Sequence, residues 1–313
     1  MLGQIVEISN PGQRLSLHRG FLRVENADGV VGDVALDDIE AVIASTPALT
    51  YSNQLIAALA ERGAPLVICS ARFDPAAVLL PLSGHHAQGT RIEAQAAATR
   101  PTAKRLWADL VKAKIKAQAA ALSEISQSPI TLETLTRRVR SGDPENIEAQ
   151  AAQKYWPAFF GSDFRRDRTA DGINVFLNYG YTVLRASAAR AIVGAGLHPS
   201  LGIHHKSAGN SLRLADDVME PFRPAVDLLV RELREEGVTE LSPPIKRRLA
   251  AVLHADYETD EGVSTLSNAL GRCAQSLAQV YLGERRDLKL PRSVLPLQED
   301  AAARLATGDD DAT

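Results

Sequence analysis

The stretch LSGHHAQGTR, residues 82–91, separates two kinds of sequence, and the fold class turns on that change. Before it, QIVEIS (4–9), RLSLHRGFLRVE (14–25), VVGDVALDDIEAVIA (30–44), PLVICS (65–70) and PAAVLLPL (75–82) are short runs with alternating or β-branched residues. The turn signals NPG and NADG punctuate the first of them, as strands require. One helical pattern, SNQLIAALAERG (52–63), interrupts the series, with Gly63 placed to end it. After residue 100 the period changes. Residues 101–125, 144–160, 172–196, 211–237, 242–257 and 262–283 all carry apolar side chains at helical spacing. The expectation is an α+β chain: a small β-rich N-terminal domain over 1–88, a linker over 89–99, and a larger all-helical domain over 100–313. Its acidic end LATGDDDAT (305–313) is expected to be frayed and flexible. His85 and His86, set among Gly, Ser and Gln, read as solvated loop.

The 313 residues carry a net charge of −3, so no global basicity marks a nucleic-acid or membrane partner. An anionic partner would have to meet local basic patches. Cys69 and Cys273 are the only cysteines, too few for a disulfide framework or a thiolate zinc site. The opening MLGQIVEISNPGQ has no basic-then-apolar leader, and no apolar run approaches the roughly 18 residues of a membrane span. A reducing, cytoplasmic setting away from membranes is the expectation.

Two segments hold the chemistry. In PENIEAQAAQKYWPAFF (144–160), Ile147, Ala151, Ala152, Tyr155 and Trp156 share one half of a helical wheel, and Glu148 falls near its middle. A carboxylate there is either left at the rim of the first turn, where the helix dipole favours it, or turned inward toward a partner. In LGIHHKSAGNSLRLADDVMEPFRPAV (201–226), His204 and His205 precede Asp216, Asp217 and Glu220. Pro221, directly after Glu220, cannot donate its backbone N–H and implies a kink or restart that turns Glu220 toward a cleft. Histidine with carboxylates suits Mn²⁺ or Mg²⁺, yet HExxH and related patterns are absent. On these residues alone, a metal site and a merely capped helix stay equally open.

IEAQAAQKYW, INVFLNYGYTVLRA and GLHPSLGIHHKSAGNSLRLADDVMEPFRP follow a β-rich leader in that order. Together they resemble the family of CRISPR-associated adaptation integrases, over residues 1 to about 290. The blend GIHH…NS…LADDVMEPFRP is most similar to the branch found beside single-protein, RNA-guided DNA-cleaving effectors. The resemblance implies a metal site, for Mg²⁺ or Mn²⁺, of Glu148, His205 and Glu220, with Asp217 as a second acidic residue close by. It does not make His204 a ligand. Gln153 departs from the pattern, standing where many members carry Arg. The resemblance further implies an N-terminal β-domain, a helical catalytic domain, a homodimer built largely through the β-domain, and assembly with the small second-numbered adaptation protein. The implied substrates are a short duplex, the prespacer, and the repeat DNA into which its 3′-hydroxyl is inserted.

Basic clusters at Arg137, Arg138 and Arg140, at Arg165, Arg166 and Arg168, at Lys246, Arg247 and Arg248, and at Arg285, Arg286, Lys289 and Arg292 offer local positive surface. Lys206, Arg223 and Arg248 are the candidate DNA contacts, although Arg223 is equally suited to pair with Asp227 or Glu220. Tyr179 and Tyr181 read as core beside Phe176 and Leu184, and Asn174 and Asn178 as helix-packing polar groups. Two rival functions remain in view, another metal-dependent phosphoesterase and a non-catalytic DNA-binding scaffold.

Overall fold

The run Ile39–Ala44, IEAVIA, is buried at every position. A strand covered on both faces must lie between two layers, and the architecture follows from it. The computed structural model describes residues 4–46, 48–69, 75–82 and 84–297; the acidic end at 305–313 lies outside the described residues. The N-terminal part runs β1 (Gln4–Ile8), β2 (Gln13–His18), β3 (Phe21–Asn26), β4 (Gly29–Ala35), β5 (Ile39–Ala44), β6 (Leu49–Tyr51), α1 (Asn53–Glu61), β7 (Leu66–Cys69) and β8 (Pro75–Leu79). One sheet has the order β1-β5-β7-β8 and the other β4-β3-β2-β6. β1, β5 and β7 pair in parallel, whereas β8 returns antiparallel to β7. Leu15, Leu22, Leu36, Val42, Leu55 and Leu59 form a core of their own in this part. Ile43 and Val67 instead join the core of the helices, so the β1-β5-β7-β8 sheet is shared between the two cores.

The remainder is mostly helical: α2 (Gln88–Ala96), α3 (Arg100–Glu124), α4 (Ile130–Arg138), α5 (Ile147–Phe160), α6 (Ile173–Gly194), α7 (Arg213–Val218), α8 (Arg223–Glu235), α9 (Pro243–Ala250), a hairpin of β9 (Asp256–Thr259) and β10 (Gly262–Thr265), and α10 (Leu266–Tyr281). The α+β reading is therefore correct, with one addition. The hairpin occupies residues read as the end of one helix and the start of the next. Thr259 shapes its turn, donating to the carbonyl of Gly262 at 2.6 Å and accepting the N–H of Glu261.

Residues 89–99 were expected to link two domains, but most of them form α2. That helix docks through polar side chains rather than an apolar stripe, which is why periodicity does not reveal it. Arg91 donates to the Ala195 carbonyl at 2.8 Å, and buried Gln95 bonds the N–H and C=O of His198 and the carbonyl of Leu201. α2 thus holds the loop that leads into His204 and His205.

α6 is the central helix, buried without a break from Phe176 to Leu184. A helix apolar all round belongs inside. α8 packs tightly against it, since a Cβ on Gly180 would lie 2.4 Å from Cγ1 of Val226. Two buried polar links tie the sheets to the helices: Glu7 with Lys246 at 2.8 Å, and Glu40 accepting from Ser187 at 3.0 Å. Among the described residues no helix is long and apolar enough to cross a membrane.

Candidate functional site

Glu148 is placed by a cap built from the segment before it. Asp143, nearly buried, accepts the backbone N–H groups of Ile147 at 2.8 Å and Glu148 at 2.9 Å, while the Asn146 side chain accepts from Ala149. These bonds satisfy donors that the first turn of α5 leaves unpaired and fix its rotation. Ile147 then goes fully inside, and the neighbouring Glu148 faces α3.

There it meets a residue that sequence reasoning missed. The Lys114 Nζ on α3 lies 2.6 Å from Glu148 Oε1 and 2.6 Å from Glu220 Oε2. Glu220 opens a 3₁₀ turn, Glu220–Phe222, between α7 and α8. Pro221 makes that restart, and only 4% of Glu220 remains exposed. Its other oxygen, Oε1, lies 3.0 Å from Nε of Arg223. Burial alone would push the Glu220 carboxyl up, but Arg223 and Lys114 outweigh it and hold the group at about 2. Burial likewise opposes the Lys114 charge, and Glu220 and Glu148 overcome it and raise the ammonium above its ordinary range. Two carboxylates therefore converge on one cation.

His205 approaches from the loop before α7. Asp217, with no exposed surface, accepts the backbone N–H groups of Ile203 at 2.6 Å, His204 at 3.1 Å and His205 at 3.2 Å. Its Oδ1 also lies 2.7 Å from the His205 Nδ1. That bond raises the imidazole against the opposing effect of burial, with the Asp217 and Glu220 charges adding to it. Asp217 is thus a support for the loop, and His205 keeps Nε2 as its remaining ring nitrogen. Gly202 permits the tight loop, since a Cβ there would lie 2.7 Å from the His205 carbonyl oxygen and 3.0 Å from Asp217 Oδ2. The His204 ring stacks on Trp107 at 4.1 Å, which separates the roles of the two histidines.

His205 and Glu220 open onto a cleft of about 590 Å³ that Arg166, Arg168, Arg185 and Arg223 also line. Arg166, Arg185 and Arg223 are held by side-chain contacts, and Arg168, exposed, is fixed through its backbone. Arg166 donates to Asn174 at 2.9 Å and Asn178 at 2.8 Å, and the same asparagines fasten the backbone of the Arg165–Arg168 loop. Arg185 grips Asp216 through two bonds, and Arg223 stacks over the Tyr181 ring at 4.5 Å. Lys206 is exposed on the His205 loop. Arg248 is not brought to this cleft; it pairs with Glu236 and Glu232. Lys246 is not a surface cation either, being buried against Glu7. Tyr179 and Tyr181 are core, as expected. A larger groove of about 740 Å³, lined by Arg62, Arg190, Arg272 and Lys289, holds none of the three expected ligands.

Two carboxylates and an imidazole nitrogen make a donor set that suits a hard divalent ion such as Mg²⁺ or Mn²⁺. The buried Glu220 Oε2 supports that fit, because it has no aligned hydrogen bond and contacts Lys114 only as an ion pair. Among the described residues, no three His, Cys, Asp or Glu side chains are yet close enough to hold a metal ion together. Lys114 stands between the first two donors.

Comparison with known proteins places the chain. The family model described as CRISPR associated protein Cas1 matches residues 6–256. A CRISPR-associated endonuclease Cas1 of Neisseria meningitidis serogroup C (strain 8013) is 38% identical over 294 residues, which cover 92% of this chain and 95% of that protein. A solved casposase bound to integration product shares the fold with a TM-score of 0.79 at 21% identity, over 97% of this chain and 99% of that one. A chain of a Cas6-RT-Cas1–Cas2 complex does so with a TM-score of 0.75 at 19% identity, over 92% of this chain and 36% of that longer one. The protein belongs to the CRISPR-associated Cas1 family.

Proposed function

We propose that the protein is a metal-dependent DNA integrase and endonuclease of CRISPR adaptation, joining a short prespacer duplex to repeat DNA by phosphodiester transesterification. The observation that carries this reading is the convergence of Glu148 and Glu220 on Lys114, with Glu220 and His205 opening on one arginine-lined cleft, in a chain of this family. The curated relative's name, endonuclease, and the neighbour bound to integration product support it.

In the reaction a prespacer 3′-hydroxyl attacks phosphorus in the repeat, forming one ester bond as another breaks and leaves a new 3′-hydroxyl. Glu148, Glu220 and the His205 Nε2 would hold Mg²⁺ or Mn²⁺, which supplies Lewis-acid stabilisation of charge on the phosphoryl oxygens. Asp217 engages Nδ1 and fixes the imidazole and its loop, which leaves Nε2 as the ring nitrogen for a ligand. Arg223, held by Tyr181 and Glu220, and the cleft arginines offer donors to phosphates flanking the reacting one. Water in place of the hydroxyl gives hydrolysis at the same site. The working form is a homodimer that assembles with the small second-numbered adaptation protein, a partnership supported by the neighbour in a Cas1–Cas2 complex.

The test is Mn²⁺- or Mg²⁺-dependent joining of a short duplex to supercoiled plasmid, with the small partner added. Glu148→Ala, His205→Ala and Glu220→Ala should each abolish joining while dimer and DNA binding persist. Normal joining by the triple variant would remove these residues from the mechanism.

A further inference from the structure

Lys114 has two carboxylate partners and no place in the reaction as written above. We propose that its ammonium and a divalent cation are alternative occupants of one point between Glu148 and Glu220, so that loading the site requires Lys114 to leave. The inference rests on the metal reading and concerns how the site is filled.

The geometry leaves little choice. Nζ lies 2.6 Å from an oxygen of each glutamate, so it occupies the gap that an ion bridging the two would fill. The local charges already balance, with Glu148 and Glu220 against Lys114 and Arg223. A divalent ion added beside both cations would leave an excess of positive charge in a site where Glu220 is almost wholly buried. One cation must yield, and the two differ in freedom to move. Arg223 is stacked over the Tyr181 ring at 4.5 Å, and its contact with Glu220 Oε1 is an ion pair without an aligned hydrogen bond. Lys114 is a compact charge on a four-carbon stem with three rotatable donors, and it can swing away without disturbing α3. Its departure also frees Glu220 Oε2, whose contact with the lysine is not an aligned hydrogen bond. Exchange of one positive charge for two then leaves the site with a surplus suited to an incoming phosphate. Lys114 is in this sense a positioning residue: it keeps two like charges together and sets the threshold for the metal.

The experiment measures Mn²⁺ binding to the full-length wild-type dimer by titration calorimetry, and by the paramagnetic resonance signal of free Mn²⁺. Lys114→Met removes the competing charge and keeps the stem, and it should bind Mn²⁺ at least tenfold more tightly. Lys114→Arg keeps a cation and should bind no more tightly than wild type. Glu220→Gln should lose binding in both the wild-type and the Lys114→Met backgrounds. A second measurement needs no variant. Acetic anhydride labelling of wild-type Lys114, read by mass spectrometry, should quicken when Mn²⁺ is added, because the displaced amine becomes accessible. Equal or weaker Mn²⁺ binding by Lys114→Met, or labelling that Mn²⁺ slows or leaves unchanged, overturns the exchange and leaves the metal site standing. If neither wild type nor Lys114→Met binds Mn²⁺, the metal reading itself fails and the exchange with it.

Discussion

Asp217 Oδ1 lies 2.7 Å from Nδ1 of His205, and the same carboxylate accepts three consecutive backbone N–H groups of that loop. One buried side chain therefore fixes both the path of residues 203–205 and the face of the imidazole. Asp217→Asn keeps the shape but loses the charge and one accepting oxygen. Joining activity should fall at least tenfold and Mn²⁺ affinity about 10- to 100-fold, the usual loss when a histidine ligand's support is removed. Because Asp217 raises the His205 imidazole, and a protonated ring cannot bind metal, wild-type Mn²⁺ affinity should weaken as pH falls, from a midpoint above the ordinary imidazole value. In Asp217→Asn that midpoint should move down. A pH profile of residual Mn²⁺ affinity that does not move would show that Asp217 acts on the fold alone.

Asp227 gives the opposite kind of pH dependence. It is 1% exposed, accepts from Tyr155 at 3.0 Å and from Tyr181, and burial pushes its carboxyl up to about 6. A carboxyl raised above its unfolded value stabilises the fold most below about pH 4, and that contribution is lost as pH rises through about 6. The change is on the order of 3 kcal/mol. Asp227→Asn should flatten the melting temperature against pH between 4 and 6. An unchanged slope in the variant would mean that another group is titrating.

The basic residues should separate by experiment into those that hold the fold and those that meet DNA. Lys246, buried against Glu7 across the boundary between sheet and helices, should cost about 3 kcal/mol when changed to Met, since the Glu7 charge loses its cation and keeps only hydroxyl donors such as Ser45. Lys206→Ala should leave stability within about 0.5 kcal/mol and lower the salt dependence of DNA binding by about one phosphate contact. Denaturant melts and DNA titrations across salt concentrations read both; an exchange of the two outcomes would refute the assignment.

Gly180 tests the packing under the site. A methyl group there would meet Val226 Cγ1 at 2.4 Å, so Gly180→Ala should cost about 1–3 kcal/mol through overpacking. Adding Val226→Ala opens the space and should recover most of that loss. A double variant whose losses simply add would place the strain elsewhere.

Much of this was legible in the sequence because period and turn chemistry act locally. The change from alternating to helical spacing gave the α+β division, and Pro221 gave the restart that turns Glu220 inward. The parts that were hidden depend on contacts between distant segments. Lys114 sits in a helix rich in lysine and alanine, and nothing local marks it as the partner of carboxylates 34 and 106 residues away. α2 was concealed because Arg91 and Gln95 dock it by hydrogen bonds, which leave no apolar period. The hairpin of β9 and β10 did carry a signal, the Asp-Glu-Gly turn in DYETDEGVST. It was overridden by the helical patterns on both sides. Arg248 misled for the converse reason: a cluster of cations does not show which acids fold back onto it.

β5 carries a practical consequence for anyone dividing this protein. Because Val42 and Ile43, adjacent on one strand, belong to different cores, no cut between the strands and the helices leaves either side with an intact interior. A fragment starting at residue 100 would expose the surface that Ile43 and Val67 cover, and would leave Lys246 without Glu7. Transplanting the candidate site into another host, or dissecting it by truncation, therefore means carrying the β1-β5-β7-β8 sheet along as part of the same module.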